Sequence, residues 1–240
     1  MFLKRRSGMN TIAIRSLLLF LVFTLAHIAP AAAATYYVSP NGTATWAQAT
    51  NINTPTNGRT AMQNAVAGDV VYFRGGNYEP CVSPVSSYWD YWKPAWYPVN
   101  SGSSGNPITF KNYPGETPVI VQTLRSVADP VNNGWCAFGV ENASWIVWDG
   151  FQGIKAATNA YLFIFHGASD CTIQNCYFQG WLYGTNNNAP IYVGEDGTPS
   201  YRCTIKNNYI YNSRGLGSYG DHYNCAAVLL YDTNNFIIEN

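Results

Sequence analysis

Apolar and polar residues along this chain fall into a short motif that keeps returning. Trp145-Ile-Val-Trp-Asp149, Cys171-Thr-Ile-Gln-Asn175, Cys203-Thr-Ile-Lys-Asn207 and Phe236-Ile-Ile-Glu-Asn240 each read apolar, any residue, apolar, polar, Asn or Asp. Ile108-Thr-Phe-Lys-Asn112 fits the same frame, and Val71-Tyr-Phe-Arg-Gly75 fits it loosely. Successive final positions are separated by roughly 25–40 residues, the interval range of solenoids and arrays. Loops of unequal length between fixed short strands absorb the variation. Within each motif the alternation has period two, which argues strand. Trp145 and Val147 then share one face and Ile146 and Trp148 the other, with the same alternation at Cys171/Ile173, Cys203/Ile205 and Phe236/Ile238. Coils stacked in register bury their inner faces against each other, and six of them rise roughly 29 Å at about 4.8 Å per strand.

The final position has its own physics. Asn tolerates a left-handed backbone, so a coil can turn sharply after the strand. Stacked amides can also hydrogen-bond along the axis. Asn112, Asp149, Asn175, Asn207 and Asn240 are expected to form that column, and five in one frame outweigh five unrelated turn residues. The sequence stops at Asn240, on a turn position with no capping segment after it. A solenoid end needs a cap, so a truncated chain with further coils is expected.

The N-terminus departs from the pattern. Lys4, Arg5 and Arg6 precede the apolar run Ser16 to Ile28, and Ala32-Ala33-Ala34 supplies small residues for cleavage. Residues 1–34 therefore read as a signal peptide, the run being short for a membrane span, and the mature chain is expected to be secreted: extracellular, periplasmic or at the cell surface. The 240-residue chain is 47% hydrophobic and 11% charged, with a Tyr-, Asn-, Gly- and Thr-rich mix that favours strands and turns. Losing Lys4, Arg5, Arg6 and Arg15 leaves nine basic residues against 13 acidic ones, a net charge near −4. That argues against nucleic acid, which needs a basic face, and permits a Ca²⁺ site.

Six cysteines remain: Cys81, Cys136, Cys171, Cys176, Cys203 and Cys225. No zinc-type spacing joins them. Cys171 and Cys203 open successive motifs and so fall in one column. At one coil spacing they are within disulfide range; a disulfide and a stack of buried thiols both remain open.

These motifs resemble the right-handed parallel β-helix repeats of the pectate-lyase-like superfamily. Thr35-Tyr-Tyr-Val-Ser-Pro-Asn-Gly42 is similar to the first strand and turn of such proteins. Arg59 to Ala67 resembles the helix that caps their first coil, ahead of Ala67-Gly-Asp-Val-Val-Tyr-Phe-Arg-Gly-Gly-Asn-Tyr78; Ser104-Gly-Asn-Pro-Ile-Thr-Phe-Lys-Asn-Tyr-Pro-Gly115 is also typical. The resemblance implies an all-β, single-stranded right-handed solenoid over residues 35–240, with an N-terminal cap at about 35–70 and coils from about 71. It further implies a secreted, monomeric protein that acts on polysaccharide and has no membrane contact after signal cleavage. A uronate polysaccharide lyase is the first expectation. A non-catalytic carbohydrate-binding or adhesion β-helix is the alternative. A glycoside hydrolase on the same fold ranks below, because the Asn-Thr-Asp, Asp-Asp and Gly-His-Gly motifs of that branch are absent from this stretch.

β-Elimination needs a base for the proton α to the uronate carboxylate, and a cation or basic group to neutralise that carboxylate. The candidate bases are Lys206, Arg214 and His222, the last beside Asp221. Frame arithmetic sets Lys206 next to Glu239 and Arg202 next to Asp170, so ion pairing between coils competes with catalysis at both cations. Glu195, Asp196 and Asp221 are the candidate Ca²⁺ ligands, against a plain acidic turn; Asp232 lies in the same coil. His166 follows the apolar stretch Tyr161 to Phe165 and reads as structural. Trp89, Trp92, Trp96 and Tyr97, in an aromatic segment, either stack on sugar rings or fold onto the side of the solenoid and bury themselves.

Overall fold

A computed structural model describes residues 33–80, 94–122, 136–155, 161–179, 189–194, 197–211 and 227–240. Of the expected signal peptide 1–34, residues 1–32 lie outside them. The described residues form three large parallel sheets and a two-stranded parallel one, Ser200–Tyr201 with Thr233–Asn234. Sheet A stacks Thr35–Val38, Val70–Phe73, Ile108–Asn112, Ile146–Asp149, Thr172–Gln174, Thr204–Lys206 and Ile237–Glu239 in that order. Sheet B stacks Gly76–Tyr78, Pro118–Gln122, Gln152–Lys155, Tyr177–Gln179 and Tyr209–Tyr211. Sheet C stacks Cys136–Glu141, Tyr161–His166, Ile191–Val193 and Val228–Leu230. Every strand pairing is parallel, and from Ile108 onward each coil visits A, then B, then C before returning to A, which is a parallel β-helix. Thr35–Val38 pairs in register with Val70–Phe73, so the N-terminal strand is already part of sheet A.

Inward side chains make one continuous core. Trp148 is its centre: its ring stacks on Phe110 at 4.7 Å and meets Phe138 and Phe151 at 5.1 and 5.3 Å. Helix α1 (Gly58–Asn64) starts at Asn57, whose side chain accepts a hydrogen bond from the Thr60 N–H at 2.9 Å, a standard N-cap. Its Ala61 and Met62 are buried in the same core. Asp69, also buried, accepts from the N–H groups of Ala34 and Val66 at 3.1 and 2.9 Å, tying the first strand to the chain that follows α1.

The turn column differs from the sequence frame in two coils. Asp149 pairs with Gln174, not Asn175; Gly150 stands opposite Asn175. A one-residue shift exchanges the faces of a strand, and here it buries Ile146 and Trp148 and turns Trp145 and Val147 outward. Gly150 takes the left-handed turn at φ +78°, as Asn175 and Asn207 do at +54° and +51°. In the first coil the frame slips by two, Val71 pairing with Phe110, which leaves the faces unchanged. The amide ladder survives in part: Asn207 donates to Asn175 at 3.4 Å, and Asn175 donates to Asp149 at 2.7 Å. A second left-handed column, Trp145, Asp170, Arg202 and Asn235, opens the sheet A strands.

Cys171 and Cys203 do face inward in one column, and both are free, buried thiols. The hydrogen bond to the Cys171 thiol, together with burial, pushes the Cys203 thiol pKa far up. Cys176 is free and buried as well, its thiol raised to about 12 by burial. Among the described residues no helix is long and apolar enough to cross a membrane.

Candidate active site

The three faces of the solenoid are unlike one another. Turns from A to B are two residues long at Gly150-Phe151, Asn175-Cys176 and Asn207-Asn208. The B-to-C connections are longer and run largely through residues outside those described. Sheet C is therefore the sheet whose strands begin at the ends of the variable segments, the usual place for function on a rigid scaffold.

The outward side of sheet C carries a buried ionisable pair. Val140 pairs with Phe165, and Glu141 with His166. Inward Phe138, Val140, Phe163 and Phe165 belong to the core, so alternation turns Glu141 and His166 to the other side. His166 Nδ1 lies 2.6 Å from Glu141 Oε2, and each residue is only 8% exposed. The other carboxylate oxygen, Glu141 Oε1, accepts from Asn142 Nδ2 at 2.9 Å. Among the described residues, the buried polar side-chain atoms lacking a partner are Thr56 Oγ1 and Trp148 Nε1. His166 Nε2 has no hydrogen-bond partner among the described residues, and the His166 side chain keeps 10% of its surface exposed.

Backbone contacts fix the imidazole further. The His166 carbonyl accepts from the Asn142 N–H at 2.8 Å. The buried Ser200 hydroxyl donates to the Phe165 carbonyl at 3.0 Å and accepts from the Ala168 N–H at 3.1 Å, bracketing His166. In the next coil Gly194 follows Val193, the partner of Phe165; its N–H donates to the Phe165 carbonyl at 2.7 Å, and a Cβ there would meet the Asp232 backbone. Further along the same sheet, Tyr161 and Tyr192 stack at 4.3 Å in a separate buried cluster with Ile164 and Ala189. Such an arrangement can hold, accept or release a proton at one oriented nitrogen.

The sequence-based candidates distribute unevenly. Lys206 stands on the outward side of sheet A, half-exposed, with Nζ 2.9 Å from Glu239 Oε1. Arg202 makes two hydrogen bonds to Asp170, at 2.8 and 2.7 Å, and they hold the Asp170 pKa below its usual range. Both cations thus pair between coils, as the coil spacing implied, and neither is on sheet C. Trp96 requires a correction. It is 8% exposed, its ring lies against Phe73 and Tyr78 and over Gly58, and its backbone bridges Phe138. Protein occupies its faces, so it belongs to the core and not to a sugar platform. Tyr97 is half-buried. Trp89, Trp92, Glu195, Asp196, Arg214, Asp221 and His222 lie outside the described residues. In sequence, Glu195 and Asp196 directly follow Gly194, and Arg214, Asp221 and His222 fall between Tyr209–Tyr211 and Val228–Leu230. Among the described residues no group of three or more His, Cys, Asp or Glu is placed to hold a metal ion.

Glu141 is the residue that sequence reasoning missed. Its signal was present: Phe138-Gly-Val-Glu141 and Phe163-Ile-Phe-His166 share an alternation and stand close to one coil length apart in the chain.

No protein-family model matches the chain, and no curated protein matches it in sequence. Solved structures do resemble it. The crystal structure of pectate lyase Pel9A aligns with a TM-score of 0.51 at 19% identity, covering 74% of this chain and 39% of that one. A rhamnogalacturonan lyase aligns with a TM-score of 0.54 at 17% identity, covering 86% and 50%. The likeness is one of fold, a parallel β-helix. This chain spans half or less of the length of those two lyases. In this β-helix the Glu141–His166 pair sits at the C-terminal end of the two sheet C strands that bear it.

Proposed function

We propose that this β-helix is a secreted polysaccharide lyase that binds a uronate-containing chain across the outward side of sheet C and cleaves it by β-elimination. The observation that carries the reading is the buried, oriented His166–Glu141 pair on that side. Elimination requires a proton acceptor held against the sugar ring, and an imidazole held by a carboxylate at 2.6 Å is a group that can take that role. The likeness to a pectate lyase and a rhamnogalacturonan lyase supports the fold on which this chemistry is placed. Glu195, Asp196 and Asp221 are proposed as Ca²⁺ ligands that would neutralise the uronate carboxylate, with Arg214 as a basic alternative and Trp89, Trp92 and Tyr97 as sugar contacts.

The test is incubation with polygalacturonate, rhamnogalacturonan and alginate, with and without Ca²⁺, following the ultraviolet absorbance of the unsaturated product. A rise on at least one uronan is expected. New reducing ends without that absorbance would replace the lyase with a hydrolase.

A second reading, carbohydrate binding without cleavage, is favoured by sheet B. Tyr177 and Tyr209 stack at 5.2 Å with both rings exposed, and Tyr211 is exposed beyond them. An open groove of about 340 Å³ beside Tyr177 is lined by Thr117, Gln152 and Asn175. Aromatic faces next to amides suit sugar rings. Retention on a uronan column with no product from any uronan is what this reading expects.

A further inference from the structure

We infer that His166 Nε2 is the group that removes the uronate α-proton, with Glu141 as its positioning residue; the inference rests on the lyase reading above. Four features point to it. The imidazole is nine-tenths buried, and its Nε2 has no hydrogen-bond partner among the described residues. The Glu141 carboxylate 2.6 Å from Nδ1 fixes the tautomer that carries hydrogen on Nδ1 and leaves the Nε2 lone pair available. Asn142 binds both the Glu141 carboxylate and the His166 carbonyl, so the pair is held from side chain and backbone together. The Gly194 N–H ties the next coil to the Phe165 carbonyl beside His166 at 2.7 Å. Burying a carboxylate and an imidazole costs folding free energy, and replacing such a pair with apolar residues is often neutral or stabilising. A role for the oriented imidazole in the reaction gives that cost a use.

The step balances without a co-reactant. The Nε2 lone pair takes the hydrogen from C5, the carbon bearing the carboxylate. The C–H electron pair becomes the C4–C5 double bond, and the bond from C4 to the glycosidic oxygen breaks. The leaving oxygen receives the proton from the imidazolium, which returns to neutral. One glycosidic bond is exchanged for one carbon–carbon double bond, and nothing is oxidised. Glu141 stabilises the transient imidazolium and does not touch the substrate.

The experiment uses a uronan cleaved by the unaltered protein. His166→Gln keeps a side-chain donor for Glu141 and removes the base; His166→Ala opens space for added imidazole. The expected result is a kcat lower by about 10²–10⁴-fold in both, the range for loss of a general base, with KM within about threefold. Imidazole in the buffer is expected to restore at least about tenfold of the His166→Ala rate, a response that a merely structural histidine does not give. Glu141→Gln is expected to lower kcat by about 10–100-fold, less than either His166 variant, while far-ultraviolet circular dichroism matches the unaltered protein. Should His166→Ala fail to fold, the His166→Gln and Glu141→Gln rates decide alone. An active protein whose folded His166→Gln variant keeps kcat within about threefold overturns this assignment and leaves the lyase reading standing. Absence of unsaturated product from the unaltered protein on every uronan overturns both.

Discussion

Ser200 offers a direct measure of how firmly the fold holds the strand that bears His166. Its hydroxyl is fully buried and makes two hydrogen bonds, to the Phe165 carbonyl and from the Ala168 N–H, at 3.0 and 3.1 Å. Ser200→Ala removes both while changing the volume by one oxygen atom. The Phe165 carbonyl keeps a second donor, the Gly194 N–H at 2.7 Å, so it remains satisfied. The Ala168 N–H has no other acceptor among the described residues and becomes a buried orphan. Leaving one buried donor unpaired costs about 1–3 kcal/mol. For a domain of this size each kcal/mol lowers the melting temperature by about 2–4 °C, so a central cost of about 2 kcal/mol predicts a fall of about 4–8 °C. Thermal unfolding followed by far-ultraviolet circular dichroism, with urea midpoints as a second measure, reads the change. A Ser200→Ala melting temperature within about 1 °C of the unaltered protein refutes the claim that this hydroxyl clamps the coil corner.

Gly150→Ala places a Cβ on a backbone at φ +78° and drives it into Asn112 Oδ1. The left-handed strain alone is about 1–2 kcal/mol, and Gly150→Asn is expected to lose less; equal urea midpoints for all three proteins would contradict the turn column. Hydrogen bonds from Arg74 and then the Gly75 N–H lower the Glu116 pKa, and a hydrogen bond from Arg202 lowers that of Asp170. Folded pKa values below the unfolded ones give stability that is full above about pH 4 and is lost as pH falls through the lowered values. Melting temperatures between about pH 2 and 5 are therefore expected to fall less steeply in the Glu116→Gln/Asp170→Asn double variant, and parallel curves count against it. The thiols of Cys171, Cys176 and Cys203 are buried, with Cys176 raised to about 12 and Cys203 higher than usual. Mass mapping after iodoacetamide treatment at neutral pH is expected to find these three unlabelled in the native protein and labelled in urea, and native labelling at any of them sinks the burial argument.

Much of this solenoid is visible in the chain because its coils repeat one short pattern. Cys171/Ile173 and Cys203/Ile205 were readable as stacked inward columns, and the Arg202–Asp170 and Lys206–Glu239 pairs followed from spacing alone. The frame failed where two patterns overlap. Trp145-Ile-Val-Trp-Asp149 is apolar at four consecutive positions, so alternation cannot say which pair faces inward. Packing of Trp148 on Phe110 decides it, and Gly150 then takes the turn that the frame assigned to Asp149. Trp96 looked available because ring density is a property of composition, whereas its burial depends on Gly58, far earlier in the chain, leaving room for the ring. The site was harder to see for a related reason. Histidine after an apolar strand reads as structural until the register shows Glu141 beside it, and register between coils is set by loops whose lengths vary. The Asp221–His222 neighbours drew attention because adjacency in sequence is easy to see; adjacency across coils is not.

The central claim is that substrate lies across the outward side of sheet C over His166. The most direct measurement is the crystal structure of the His166→Gln protein with a bound oligouronide. The account predicts sugar density along sheet C, with C5 of one uronate within hydrogen-bonding reach of the side chain at position 166. Sugar bound only on the sheet B tyrosines Tyr177 and Tyr209, or only along the Lys206 side of sheet A, would contradict it.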